Sequence, residues 1–419
     1  MAQTQTNSAL KRVSASGDVH SFHSGDSVRG FWSTKMADEV TELPHLPMEI
    51  IREILAWLPV KPLCRFRCVS KSWNSLTFDP KFVKMNFNKA LEHEDVLYQR
   101  RRVLVSDFYS GEFYYFSLDE FLNSDDIDNV GGDDENHGLL VTEVSRVGNV
   151  GGSFVFYSNA LMFFGSNERF LLFNPVTREF KVVPVFPKLG QWDIINAKLY
   201  GFGYDPSNQD YKMVYMICGD CSAMKRPSPI LMELKFGVYS LKTGYWRVIE
   251  KAYPYQCLPN GVKGRLLNGG IHWLVYRNHR DVSSMVVLSF VLTEEEVREI
   301  PLPPCCHIEG DDVYLSVFRD CLCVILGYGE EVWVMKEYGV KESWTKIRIS
   351  IPPCEWLHSG FRKKYYDLLL LEDHDNRLVL HNFDKDTFRN LSVRGVPLID
   401  YAVVYLESLV SPNNFGITD

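Results

Sequence analysis

Apolar positions along this chain change period once. Between Leu46 and Phe87 they recur every three or four residues, whereas from about Leu97 onward they alternate in short aromatic and β-branched runs parted by Gly, Asn, Asp and Pro. The first pattern predicts short helices and the second predicts strands. The fold class is therefore α+β and multidomain, a small helical module followed by a long all-β domain.

Each predicted helix has a start signal. Pro47 suits a first helical position, with Glu49 in the first turn, and Ile50, Ile51, Ile54, Leu55 and Leu58 then form a wide apolar face that Pro59 ends. Pro62 is placed to open a second helix, with Leu63, Phe66 and Val69 on one side and Arg65, Arg67 and Lys71 on the other. Trp73 and Leu76 extend the stripe, and Asp79-Pro80 caps and opens another helix through Phe82 and Val83. Domains below roughly 60 residues bury too little surface to be more than marginal. So much apolar surface on so small a block calls for a partner.

The second half repeats. Phe170–Pro184 reads as strand, polar turn, aromatic strand, and the form returns at Phe236–Ile249, Val287–Leu302, Val332–Ile349 and Leu378–Val393, with a weaker copy at Phe113–Leu118. Turn anchors at Thr177, Thr243, Thr293, Lys341 and Asp386 are separated by 66, 50, 48 and 45 residues. Upstream of several anchors a turn residue leads into an apolar strand, as at Asn159, Asn268 and Asp320. Units of three or four strands at about this period are propeller blades, and the remaining length accommodates about six. The last strand, around Tyr401–Leu406, is expected beside the first blade, where it closes the ring and leaves no open edge.

Composition narrows the function. The chain has 419 residues, 23% of them charged, and a net charge of -8, which argues against binding driven by neutralising nucleic-acid phosphates. No apolar run reaches the roughly 18 residues of a membrane span, and Met1–Leu10 lacks a signal-peptide core, so a cytoplasmic or nuclear protein is expected. The ten cysteines then read as reduced thiols. Cys218 with Cys221, and Cys305-Cys306-His307, are far apart and lack a matching second pair, so no metal or other cofactor is expected; Cys321 and Cys323 alternate like core residues.

Catalytic signatures are missing. No Gly-x-Ser-x-Gly, His-Glu-x-x-His or phosphate-loop motif occurs, and Gly148–Gly152 reads as a turn. His272, between apolar neighbours, reads as a satisfied strand histidine, and Phe180, Trp246, Trp344 and Phe388, at one offset per repeat, read as packing between blades. Residues 1–40 are polar and aperiodic and are expected to be disordered, and Met36 looks like a second translation start. The six carboxylates between Asp125 and Glu135 suit a solvated loop able to steer a basic partner.

Two resemblances follow from particular residues. The segment from Glu42 to Phe87, through Leu46-Pro47, Leu58-Pro59-Val60-Lys61, Arg65-Phe66-Arg67-Cys68-Val69 and Lys71-Ser72-Trp73, resembles the F-box of plant F-box proteins, with Pro62 where the family more often has serine. Phe173-Asn174-Pro175-Val176-Thr177, Tyr200–Pro206 with Asp210–Val214, Val238–Leu241 and Gly269–Leu274 resemble the F-box-associated, kelch-like interaction domain of the same proteins, which include S-locus F-box proteins. The kelch double glycine is present only at Gly269-Gly270 among these matches.

The resemblance implies a leader over 1–40, an F-box over 41–88 and a substrate-binding β-propeller over 89–419. It further implies a non-catalytic substrate-recognition subunit of an SCF-type cullin-RING ubiquitin ligase. Such a subunit docks on a Skp-type adaptor, through it on a cullin, and presents a target protein, with no nucleic-acid or membrane partner. The adaptor-binding residues implied are Leu46, Pro47, Ile50, Ile54, Leu58, Pro59, Val60 and Leu63, where the family match coincides with apolar positions on short helices. The substrate-binding residues are unknown. Because the propeller has its own core, the two modules are expected to be separable. The rival readings are a propeller enzyme or ligand sensor with a helical appendage, and an F-box scaffold that does not direct degradation.

Overall fold

The computed structural model describes residues 46–415 except 108, 118–138, 142–144, 149–153, 166–169, 188–199, 218–233, 259–262, 278–283, 304–312, 327–330, 348–353, 357–365, 372–376, 383–384 and 386. The leader, the acidic run, and the Cys218/Cys221 and Cys305–His307 patterns lie outside the described residues.

Five helices come first: α1 (Met48–Ala56), α2 (Val60–Phe66), α3 (Lys71–Phe78), α4 (Pro80–Glu92) and α5 (Glu94–Arg100). Caps set their starts. The Ser70 hydroxyl accepts the N–H of Trp73 at 3.2 Å, and the Asp79 carboxylate accepts that of Lys81 at 2.9 Å with Pro80 in the first position. Pro62, predicted to open α2, is instead its third residue. That position is harmless, since the N–H that proline lacks is one of the four that a helix start leaves unpaired.

The described strands form six sheets, each read here from its first strand outward. Blade 1 is Ile399–Leu406, Arg101–Asp107, Phe113–Phe116 and Ser145–Gly148; blade 2 is Phe154–Ser158, Leu161–Gly165, Phe170–Phe173 and Phe180–Val183. Blade 3 runs Tyr200–Asp205, Asp210–Ile217, Leu234–Ser240, Tyr245–Tyr253. In blade 4, Arg265–Leu267 and Gln256–Cys257 both pair with Gly270–Tyr276, followed by Met285–Val291 and Glu296–Ile300. Blade 5 is Val313–Phe318, Cys321–Leu326, Glu331–Met335 and Trp344–Ile347; blade 6 is Cys354–Trp356, Tyr366–Leu371, Arg377–Asn382 and Thr387–Val393, with Leu139–Val141 added in parallel at its outer edge.

First strands meet in sequence around the ring: Ile399–Leu406 lies beside Phe154–Ser158, then Tyr200–Asp205, Arg265–Leu267, Val313–Phe318 and Cys354–Trp356 follow, and Arg377–Asn382 returns to Ile399–Leu406. Closure is where the alternation places it. Leu406 pairs with Arg101 and Val404 with Val103, so the C-terminal strand completes the blade that the first strand begins. Leu139–Val141 adds a second tie from that part of the chain to blade 6.

The repeated turns have a stereochemical basis. Asn159-Ala160, Asn268-Gly269 and Arg319-Asp320 all have positive φ at both residues (41° and 79°, 47° and 73°, 49° and 58°), the two-residue hairpin geometry that matches the twist of the flanking strands. In blades 2, 3 and 6 the later turn is held by a side chain. Asn174 accepts the N–H groups of Val176 and Thr177 at 2.9 and 3.3 Å, Ser240 that of Thr243 at 3.1 Å, and Asn382 that of Lys385 at 3.1 Å.

Packing between blades follows the sequence pattern with one exception. Trp344 is buried, Trp246 packs half-buried against the largest core cluster, and Cys323 is buried. Phe180 is 58% exposed, however, because it stands on the outward side of an outer strand whose inward anchor is Val183. The side chain of Phe388 lies outside the described residues.

Candidate docking surface of the helical module

Helix α1 has two unlike faces. Met48, Ile50 and Ile54, joined by Trp57 just beyond the helix, are exposed, Ile50 by 47% and Ile54 by 52%. Leu46 and Pro47, which precede the helix, are exposed as well. Leu55 and Ala56 point the other way, into a core with Val60, Leu63, Leu76, Phe82 and Leu409. A row of large aliphatic side chains left in water is costly, at about 25 cal/mol per Å² of apolar surface, unless something covers it.

The predicted docking residues therefore divide. Leu46, Pro47, Ile50 and Ile54 are at the surface, Leu58 and Pro59 are half-buried, and Val60 and Leu63 are fully buried. Val60 and Leu63 share an apolar stripe with the exposed positions, yet both are buried. The chain turns back at Pro59, so α2 packs that stripe onto α1. Helical spacing identifies an apolar face without saying whether a neighbouring helix covers it. Trp57, three residues beyond Ile54, continues the exposed face of Ile50 and Ile54.

Charged groups frame the exposed row. Lys89 Nζ lies 4.7 Å from the ring centre of Trp57 and 3.7 Å from Glu53, His93 stacks obliquely on Trp57 at 4.6 Å, and Arg52 pairs with Asp79 at 3.4 Å. These contacts orient Trp57 and stiffen the flank of α1, each contributing well under 1 kcal/mol at an exposed site.

The inner side of the module is fastened by Asn86 of α4, by Arg100 at the end of α5 and by Glu407 just past the ring-closing strand. Arg100 donates to the carbonyl oxygens of Asn86 (2.8 Å), Ala56 (3.0 Å) and Leu58 (2.7 Å), and the Asn86 amide donates to those of Ala56 (2.9 Å) and Leu58 (3.1 Å). Burial brings the Arg100 guanidinium down to about 10, partly offset by the charge of Glu407. The Glu407 carboxylate accepts the N–H of Val60 at 3.4 Å and pairs with Arg102 at 3.2 Å. Burial pushes that carboxyl up despite the opposing pull of Arg102. Residues 49–419 form one compact unit, in which these bonds join the helical module to the end of the ring-closing strand. No local sequence signal marks Arg100 or Glu407, since their partners lie up to 347 residues away.

A cavity of about 340 Å³ runs between the first strands of the ring and α4–α5, with Arg101, Lys263, Arg265, Asp320 and Tyr401 in its wall. His272 is fully buried. Its Nδ1 meets the Arg265 carbonyl at 3.0 Å and its Nε2 the Tyr338 hydroxyl at 2.5 Å, so both nitrogens are satisfied, and burial brings its pKa down to about 4. Among the described residues, no group of three or more His, Cys, Asp or Glu is placed to hold a metal, and no helix is long and apolar enough to cross a membrane.

Comparison with known proteins accords with this architecture. An F-box associated beta propeller domain matches residues 122–411, and an F-box domain matches residues 43–85. An F-box/kelch-repeat protein of Arabidopsis thaliana is 28% identical over 415 residues, covering 88% of this chain and 97% of its own. The F-box protein CPR1 of Arabidopsis thaliana is 26% identical over 388 residues, covering 87% of this chain and 88% of its own. Among solved structures, a streptogramin B lyase aligns over 70% of this chain and 79% of its own at 10% identity and a TM-score of 0.38, too distant to bear on function. With its closed ring of four- and five-stranded blades behind a capped helical module, the chain belongs to the family of F-box proteins that carry an F-box associated beta propeller domain.

Proposed function

We propose that this protein is the target-binding subunit of an SCF-type cullin-RING ubiquitin ligase. The exposed row Ile50, Ile54 and Trp57, with Met48, Leu46 and Pro47 ahead of it, is the surface that a Skp-type adaptor covers, and the adaptor links the chain to a cullin. Leu58 and Pro59 border that surface, whereas Val60 and Leu63 act from beneath it by holding α2 against α1. The observation that carries this reading is the contrast between the two sides of one nine-residue helix.

Bond chemistry belongs to other subunits of such a ligase. This chain would contribute proximity, holding a target near a charged conjugating enzyme and turning a bimolecular encounter into an effectively intramolecular one. No cofactor is needed for that, and the cytosol and nucleus are the compartments that suit it. The propeller would hold the target on one face of the ring.

The test is reconstitution. The purified chain should bind a Skp adaptor with one-to-one stoichiometry and should support ubiquitin-chain formation on proteins that co-purify with it. Adaptor binding without chain formation on any captured protein would favour the non-degradative scaffold. Failure to bind any Skp adaptor would remove the docking reading.

A further inference from the structure

The residues that follow the ring-closing strand serve the propeller and the helical module at once. The Glu407 N–H donates to the Arg100 carbonyl at 3.0 Å, which extends the Arg101–Leu406 ladder by one pair and sets Arg100 and Glu407 opposite each other at the seam of the ring. From that seam both side chains reach into the corner between α1 and α2. Arg100 takes the carbonyls of Ala56 and Leu58, at the end of α1, and Glu407 takes the N–H of Val60, at the start of α2. These are backbone groups that helix ends leave without intrahelical partners.

Two residues on, Leu409 is 3% exposed and sits in the helical core with Leu55, Ala56, Val60, Leu63, Leu76 and Phe82. The strap is itself anchored to blade 2, where the Asn174 amide donates to the carbonyls of Ser408 and Val410, both at 2.8 Å. The helical module thus draws one of its core side chains, Leu409, from beyond the propeller seam, and the seam residues Arg100 and Glu407 share with Asn86 of α4 the pairing of its α1–α2 corner. A block of its size is marginal by itself.

We infer that adaptor docking is conditional on ring closure: Glu407–Val410 is a strap that gives α1 and α2 their docking arrangement only once the last strand, Ile399–Leu406, is seated beside Arg101–Asp107. Arg100, Glu407 and Leu409 are positioning residues that act on the docking surface from behind. The exposed side chains on α1 touch the adaptor, and the strap decides whether they stand in register. A chain that is unfinished, or trimmed at its C-terminus, then carries the F-box sequence without a working docking surface, so only completed receptors enter the ligase. This inference rests on the docking reading proposed above.

The experiment compares the full chain with a chain ending at Leu406, which keeps the closing strand and lacks the strap, and with Leu409→Ala and Glu407→Gln in the full chain. Adaptor affinity is measured by calorimetry, hydrogen exchange is followed at the amides of α1 and α2, and urea melts report on the propeller. The shortened chain and Leu409→Ala should lose about tenfold or more in adaptor affinity and in α1–α2 protection. The strands of blades 3 to 5 should keep full protection in both. Addition of a peptide spanning residues 407–415 to the shortened chain should restore part of the α1–α2 protection. Where the shortened chain fails to fold, Leu409→Ala and Glu407→Gln decide the matter. Adaptor affinity and α1–α2 protection within about twofold of the full chain in every variant would overturn the inference. If the full chain itself binds no adaptor, the docking reading fails, and the exchange data alone then decide whether the strap orders the helices.

Discussion

The indole N–H of Trp344, on the outer strand of blade 5, donates to the carbonyl oxygen of Pro301, just past the outer strand of blade 4, across 2.9 Å. Trp246 on blade 3 does the same to Pro184 after blade 2 at 2.7 Å. Each tryptophan therefore fills the space between two blades and fastens the later blade to the end of the earlier one. This accounts for an aromatic residue at a fixed offset better than a ligand cage does, because the polar edge of each ring is committed to a backbone acceptor.

Removing the bond while keeping an aromatic ring separates the two contributions. Trp344→Phe should cost about 2 kcal/mol, from the lost bond and partly refilled space. Trp246→Phe should cost about 1 kcal/mol or less, since its bond is exposed. Urea unfolding of each variant checks this, and equal losses at the two sites would show that burial of the bond does not matter.

A second tie between blades is ionic. Lys212 Nζ lies 2.7 Å from Asp205, 2.8 Å from Glu295 and 2.7 Å from the carbonyl of Leu292, joining blades 3 and 4 through a buried lysine and aspartate and a half-buried glutamate. Burial raises the Asp205 carboxyl, but the bonds from Lys212 and Asn208 outweigh it and hold the group below its usual range. Lys212→Met leaves that carboxylate buried without its cation and should cost about 3–5 kcal/mol. Adding Asp205→Asn should recover part of the loss, as a double-substitution cycle in urea would show.

Much of this was legible in the sequence because it is periodic or local. Period-2 runs, positive-φ turn residues at Asn159, Asn268 and Asp320, and the Asp79-Pro80 cap are statements about a few neighbouring residues, and each stands where the sequence places it. The closing strand was legible for a different reason, since a propeller with an unpaired last strand would leave an open edge. The inner side of the docking module was not. Leu409 in the helical core, Glu407 on the Val60 amide and Arg100 on α1 join residues far apart in the chain, and no spacing rule connects them. The outward position of Phe180 is also a matter of tertiary context, because alternation alone cannot say which side of an outer strand meets its neighbour.

His272 makes stability depend on pH. Its neutral form is bonded and buried, and its pKa in the folded chain is about 4, against about 6.5 when unfolded. Between those values the unfolded chain binds the extra proton, so this group's contribution is full above about pH 6.5 and is lost as pH falls toward 4, by about 3 kcal/mol in all. His272→Gln should lower stability at pH 7, since the bonds to Tyr338 and Arg265 are disturbed, and should flatten the acid limb of the stability curve. Urea midpoints at pH 7 and pH 4.5 for both proteins provide the measurement, and parallel curves would show that His272 does not carry the dependence.

The division of the predicted docking residues into exposed and buried sets gives the sharpest prediction. Ile50 and Ile54 face water on α1, so Ile50→Asp with Ile54→Asp should leave the urea midpoint nearly unchanged, because surface substitutions usually stay within about 0.5 kcal/mol. Adaptor binding should fall about 30-fold or more, since two anchors lost from an interface centre cost about 2 kcal/mol or more. Val60 and Leu63 should behave in the opposite sense. Both are buried in the α1–α2 core, so Leu63→Ala should cost about 2–5 kcal/mol within the helical module, and Val60→Ala somewhat less. Their effect on the adaptor should follow the loss of helix protection seen by hydrogen exchange, and should shrink as temperature is lowered toward the stability maximum. If the paired aspartates spare adaptor binding, the docking surface lies elsewhere; if they unfold the module, the exposed face of α1 is already packed against the chain. A Leu63→Ala chain that keeps full helix protection yet loses the adaptor would show that Leu63 meets the partner directly, and that the helices open to receive it.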